Sequence, residues 1–242
     1  MSAGSIEHRY RFAEHPVGGL AFALAGTPIV CRPSGALWLE EARALVVADL
    51  HLEKGSSYAV RGQMLPPYDS TDGLARLEAE VARLAPRLVV FLGDTFHDRG
   101  GEARLAAADA SRLRSLAARA ALVFVAGNHD VEGPTGLAGE CVTEVILDGL
   151  RLAHEPVAGP ADGEICGHLH PCARLRGYAM GVRRRCFVTD GERMVLPAFG
   201  AYAGGLNVRD RAFHGLFRRR PLAAILGEAR VHPVRWTSLG GD

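Results

Sequence analysis

The run RLVVFLGD occupies residues 87–94. Val89, Val90, Phe91 and Leu92 form an unbroken apolar stretch too short for a helix of ordinary length, and Gly93 and Asp94 stop it. A run of this length reads as a strand buried on both faces, as occurs where helices cover a parallel sheet. Two similar runs flank it, ARALVVADLH (42–51) before and ALVFVAGNHD (121–130) after. Longer amphipathic stretches separate the three. In STDGLARLEAEVARLAP (70–86), Leu74, Leu77, Val81 and Leu84 recur at helical spacing, Ser70 or Thr71 is placed to cap, and Pro86 closes the run. EARLAAADASRLRSLAARA (102–120) is expected as a second helix. The order strand–helix–strand–helix–strand predicts a parallel or mixed sheet with helices over it.

Outside this unit the pattern turns to hairpins. VGGLAFALAGTPIVC (17–31) is expected as a core hairpin, EVILDGLRLAHEP (144–156) as one turning at Asp148-Gly149, and RCFVTDGERMVLPAF (185–199) as another of Asp-Gly type. EICGHLHP (164–171) adds a strand. The expected fold is α/β: two mixed β-sheets packed face to face as a sandwich flanked by helices, in a single domain over residues 1–242.

Composition narrows the classes. The 242 residues are 48% hydrophobic and 23% charged, as in an ordinary soluble protein. No apolar run is long enough to span a bilayer. The opening MSAGSIEHRYRFAEHP has no basic segment followed by an apolar one, so a cytoplasmic protein is expected. The five cysteines are odd in number and contain no C-x-x-C pair, which argues against a disulfide framework. The formal charge of +1 says nothing about nucleic acid, but its distribution is uneven. Residues 1–170 carry 15 basic and 22 acidic side chains, and residues 171–242 carry 13 and 5. The basic third reads equally as a polyanion-binding face or as a solvated face in an arginine-biased chain.

The strand ends carry the chemistry. Three consecutive apolar strands finish in Asp49-Leu50-His51, Gly93-Asp94 and Gly127-Asn128-His129-Asp130. Two later ones finish in His154 and in the His168/His170 pair. Ligands in open α/β sheets sit at such ends. Any one of these groups alone is commonplace: an aspartate caps helices, an asparagine sits in turns. Five on one chain point to a shared site. Carboxylate, imidazole and amide oxygen together suit a divalent ion of intermediate hardness, such as Mn, Fe or Zn. Seven candidate ligands exceed one tetrahedral site and suit two neighbouring ions bridged by a carboxylate, with His168 and His170 serving different ions. Cys166 is either a soft ligand or, more commonly for its type, a small buried residue.

The ordered set DLH (49–51), GD (93–94), GNHD (127–130), a lone His154 and GHLH (167–170) resembles the calcineurin-like metallophosphoesterase superfamily. The resemblance implies its four-layer fold. It also implies that Asp49, His51 and His170 hold one metal, that Asn128, His154 and His168 hold the other, and that Asp94 bridges them. By the same resemblance His129 is not a ligand; it stabilises the transition state and protonates the leaving oxygen. Many phosphatases of the superfamily carry G-D-x-x-D-R-G, whereas GDTFHDRG (93–100) is one residue longer, with His97 in the added place. That form is similar to repair nucleases of the superfamily and implies that His97 helps His129 with the leaving group. Residues 33–70 and LPAFGAYAGGLNV (196–208) look like the bacterial ligase-associated DNA damage response endonucleases. This implies a manganese-dependent phosphodiesterase acting on DNA, associated with a DNA ligase, a helicase and an exonuclease.

Other residues stay open between roles. Lys54 and Arg61 are expected in a loop after the first ligand pair, placed to reach substrate phosphate. Tyr68 is placed either to stack on a base or to pack as a lid over the core. Asp130 either orients His129 or caps a helix. Asn207 and His214 belong to turns or line a cleft, and His8, His15 and His232 are expected at the surface. Two other readings compete with a DNA nuclease. One is a metallophosphoesterase for a small nucleotide or a phosphomonoester. The other is a non-catalytic scaffold of the same fold, which predicts lost ligands where this chain has all of them.

Overall fold

The computed structural model describes residues 10–176 and 182–242. His8 lies outside them.

Among these residues the first sheet has eight strands in sequence order: β1 (Ala13–Glu14), β2 (Leu20–Leu24), β3 (Thr27–Cys31), β4 (Leu37–Leu39), β5 (Ala44–Ala48), β6 (Leu88–Leu92), β7 (Ala121–Val125) and β8 (Glu140–Val142). Pairing is antiparallel up to β5 and parallel from β5 to β8. The second sheet has nine strands. Its spine runs β16 (Val231–Arg235), β15 (Leu222–Leu226), β13 (Arg183–Thr189), β14 (Arg193–Val195), β11 (Glu164–Cys166), β10 (Leu150–Ala153), β9 (Glu144–Leu147). Off this path, β12 (Cys172–Leu175) pairs with β13 and with β17 (Leu239–Gly240). The β10–β11 and β11–β14 pairs are parallel and the rest antiparallel. The helices are α1 (Lys54–Val60), α2 (Asp69–Leu84), α3 (Gly101–Arg104) and α4 (Ala107–Ala117).

The continuous apolar runs have a direct cause. Successive residues of a strand face opposite sides. In β5 and β6, Val46, Ala48, Val90 and Leu92 enter the core between the sheets, beside Leu152, Ile165, Phe187 and Met194. Their neighbours Leu45, Val47, Val89 and Phe91 enter a second core under Leu74, Leu77 and Val81 of α2 and Leu113 and Leu116 of α4. Both faces are therefore dry, and each fully buried side chain of this kind contributes about 1.5–3 kcal/mol. The two mixed sheets with helices outside, and all three expected hairpins, are present.

Three local expectations need correction. The segment after His51 is not loop alone: Lys54–Val60 is helical. Neither Ser70 nor Thr71 caps the next helix, which starts at Asp69 with no side-chain cap. Ser70 instead accepts the Glu53 N–H and donates to the Glu53 carboxylate (both 2.8 Å), and Asp69 accepts the Gly55 N–H (3.0 Å). The residues expected to start α2 thus hold the start of α1. The stretch 102–120 is two helices, broken where Leu105 and Ala106 turn extended (ψ 126° and 141°).

The parallel strands position the site. β5, β6 and β7 share one direction, as do β10 and β11. Their C-terminal ends meet at one rim of the sandwich, where Asp49, after β5, lies 3.7 Å from His154, after β10.

Candidate metal centre

Five loops supply the rim. Asp49 and His51 follow β5, Asp94 follows β6, Asn128 and His129 follow β7, His154 follows β10, and His168 and His170 follow β11. Asp49, Asp94, His51 and His154 are all buried. The backbone that aims them is unusual. Asp49 (φ 53°), His51 (47°), Asp94 (44°), His168 (66°) and His170 (45°) are all left-handed. That conformation costs a residue with a Cβ about 1–2 kcal/mol, and strain of this kind concentrates at functional sites. Close approach also demands glycine: a Cβ on Gly93 would lie 2.0 Å from His154 Nδ1, and one on Gly127 would lie 2.2 Å from Asp94 Oδ1.

The donors form two groups. In one, His51 Nε2 faces His170 Nε2 at 3.2 Å, and His170 Nε2 lies 3.3 Å from Asp49 Oδ1. In the other, His154 Nε2 lies 2.9 Å from Asn128 Oδ1 and 3.2 Å from His168 Nδ1, which is 3.1 Å from the same amide oxygen. Asp94 Oδ2 stands between them, 3.5 Å from His154 Nε2 and 3.9 Å from His51 Nε2. All seven predicted ligands are thus at one place.

The residues fit divalent metal. Two donors each about 2.1 Å from a shared ion lie about 3.0–3.4 Å apart, and the distances within each group fall in or near that interval. Imidazole nitrogens facing each other so closely share a proton or a cation, and His51 is the ring that stays neutral. Burial, followed by the charges of His170, His129, His97 and Lys54, pushes His51 down to about 2, leaving the neutral ring that ligates. His170 goes the other way: burial lowers it, but the hydrogen bond to Asp49 and the charges of Asp49 and Asp94 together raise it. The set of carboxylate, imidazole and amide oxygen suits an ion of intermediate hardness.

His129 sits over this centre. Its backbone N–H donates to Asp94 Oδ1 (2.9 Å), and its Nδ1 meets the His97 carbonyl at 2.7 Å. A carbonyl only accepts, so Nδ1 carries the hydrogen and Nε2 faces the site, 3.9 Å from Asp94 Oδ2. The His97 ring stacks on His129 with centroids 5.4 Å apart. Burial, then Lys54 and His129, push His97 down to about 4. Asp130 takes neither role considered for it. It accepts the Phe96 N–H (3.1 Å) and so ties the β6 loop to the β7 loop. Burial raises its carboxyl to about 6.

The remaining candidates divide. Lys54 is half-buried at the start of α1, and its charge is felt by His51, His97 and His170. Arg61 is exposed just past α1, and its charge reaches His97. Tyr68 is 61% exposed and shares no hydrogen bond or ring contact with the donors, so it is not a lid over the core. Cys166 is core rather than ligand: it is fully buried, donates to the Met194 carbonyl (3.6 Å) and has its thiol pushed far up by burial. Asn207 is a buried turn residue whose amide holds Gly240 and Asp242. His214 and His232 are exposed, and His15 is half-buried against Glu40 (3.3 Å).

Two contributors carried no signal. The Tyr58 ring lies 5.9 Å from that of His97. Arg185 donates to the carbonyls of Ala198, Phe199 and Gly200 (2.8–3.3 Å). Phe199 and Gly200 in turn donate their N–H groups to Ala48 and Asp49 (2.7 and 3.1 Å). Arg185 therefore braces the backbone that presents the first ligand, although the sequence shows it only as one of three consecutive arginines.

No curated protein matches the chain. Among solved structures it is similar to the nuclease MPE of Pseudomonas putida, with 29% identity and a TM-score of 0.66, covering 93% of this chain and 100% of that one. A looser likeness is to Yfce, a phosphoesterase from E. coli: 18% identity and a TM-score of 0.40, covering 79% of this chain and 98% of that one. The family profile for calcineurin-like phosphoesterase matches residues 42–170, from the strand that presents Asp49 through His170. The chain belongs to the calcineurin-like phosphoesterase family and is a metal-dependent phosphoester hydrolase.

Proposed function

We propose that this chain is a two-metal phosphodiesterase that cuts DNA, working in the cytoplasm in DNA repair. The observation that supports it best is the pairing of two donor groups around the shared Asp94 carboxylate, with His129 above it. The reading takes further support from a nuclease of Pseudomonas putida as a structural neighbour over nearly the whole chain. Asp49, His51 and His170 hold one ion; Asn128, His154 and His168 hold the second; Asp94 serves both. Manganese fits the mix of oxygen and nitrogen donors. Bound there, the ions supply positive charge that lowers the pKa of water and offsets charge developing on phosphoryl oxygens.

The chain's own side chains do the rest. Asp49 and Asp94, fixed in the dry floor, hold the donor rings in place. The His97 carbonyl holds the His129 Nδ1–H, so the ring turns Nε2 towards the rim; as the imidazolium it gives its Nε2 proton to the departing oxygen and returns to the neutral Nδ1–H ring. The stacked His97 restricts the His129 ring to that orientation. Lys54 and Arg61 contact non-reacting phosphate. In this role the partners expected by resemblance, a DNA ligase, a helicase and an exonuclease, act before or after the cut.

The test is cleavage of a plasmid and of a small phosphodiester by metal-stripped protein, with Mn, Fe or Zn added back singly beside a His129→Ala control. Nicking with Mn that disappears in the variant is the expected result. Small-ester hydrolysis without nicking moves the substrate to a small nucleotide or phosphomonoester. No activity with any metal returns the scaffold reading.

A further inference from the structure

β12 begins two residues after His170 and carries arginines away from the metal centre. Its partner β17 and the preceding turn gather more of them. Arg174 pairs with Gly240 across the ladder, and the Arg176 N–H donates to the Ser238 carbonyl (3.0 Å). The Arg209 guanidinium lies over the Trp236 ring (4.5 Å) and donates to the carbonyls of Trp236 and Leu239, while its Nε is buried without a partner among the described residues. Arg220 is exposed two residues before β15, whose first residue Leu222 pairs with Arg235 next to Trp236. The neighbours Arg183 and Arg218 have carboxylate partners in Asp242 and Asp162. Arg174, Arg176, Arg209 and Arg220 have none among the described residues. Burial and then the charges of Arg176 and Arg220 depress Arg209, so its guanidinium feels both of the others. Clustered cations without counter-charge repel one another until a polyanion joins them.

We infer that Arg174, Arg176, Arg209 and Arg220, brought together along the β12–β17 edge leading from His170, form a track for the phosphodiester backbone of DNA away from the scissile bond. The inference rests on the DNA reading above and adds where the strand runs. Arg176 is six residues past His170, at most about 20 Å along a strand. That is roughly six nucleotides of a duplex strand from the cut. Cations facing phosphate with no base edge in reach set position and affinity without reading sequence.

The test uses the manganese-loaded full chain and R174Q/R176Q/R220Q, with Arg209 kept because backbone carbonyls depend on it. Cleavage of an oligonucleotide of about 30 residues, long enough to cover the six-nucleotide reach on both sides of the cut, is measured at several salt concentrations. In the wild type 1/KM falls steeply with salt. In the variant KM rises, kcat stays within about twofold, and the log–log slope flattens by about 2–3, the sum for three lost phosphate contacts. Truncating the oligonucleotide to fewer than six nucleotides on one side should mimic the variant. A variant with the wild-type slope, or one that loses kcat instead of KM, overturns the track and leaves the arginines to an acidic protein segment. Wild-type protein that hydrolyses bis(p-nitrophenyl) phosphate but no DNA fails at the earlier step, the DNA reading itself, and takes the track with it.

Discussion

The residues of the site differ by depth. Asp49, Asp94, His154 and His51 are at most 5% exposed. The side chains of His170, His168 and His129 are 19%, 34% and 38% exposed. The floor therefore concentrates negative charge where water does not screen it, while the lip keeps imidazoles where a phosphate ester can arrive. A buried carboxylate without a cation is unfavourable, so the floor is built to need metal. The lip is solvated, and His129, which holds no metal, is free there to exchange a proton. The buried donors thus anchor the metal, while the lip combines the outer ligands His168 and His170 with His129, which meets substrate.

That division can be broken most decisively at Asp94. Asp94→Asn should remove at least about 10⁴-fold in kcat/KM, about 5.4 kcal/mol of transition-state stabilisation, and should lower bound metal per chain in elemental analysis. If metal content stayed whole, the floor would not be the retaining half. His129→Ala, at the lip, should lose about 10²–10⁴-fold in kcat with metal content unchanged. A fall in metal there would merge the two halves. Stripping metal with a chelator should lower the melting temperature, read by calorimetry. At free metal about 100 times Kd the bound state gains about 2.7 kcal/mol, equivalent to about 5–10 °C for a chain of this size. The smallest effect is expected at Lys54. Lys54→Gln should raise KM a few-fold and leave the melting temperature unchanged, and a change in kcat alone would take Lys54 off the substrate.

The floor was more legible in the sequence than its surroundings. Apolar strands ending in Asp49, Asp94 and Asn128 stand out because both faces of a parallel sheet are dry, so the first polar side chain after such a run marks where the strand emerges at the rim. The β-hairpins were legible for a similar reason, through Asp148-Gly149 and Asp190-Gly191. Helix α1 was not: KGSSYAV lacks an apolar stripe, and its start is held by Asp69 and Ser70 from the next helix, a tertiary dependence that no local pattern records. The break at Leu105–Ala106 was hidden because alanine-rich sequence suits a continuous helix equally well. Arg185 escaped because its role lies in three carbonyls it braces, and carbonyls have no letter in the sequence.

The left-handed backbone at Asp49, His51, Asp94, His168 and His170 bears on protein design. A designer who transplanted the seven ligand side chains onto regular strand ends of another scaffold would keep their chemistry and lose their aim, because ordinary extended backbone sends each Cβ elsewhere. The transferable unit is the bent loop together with the glycine that makes room beside it.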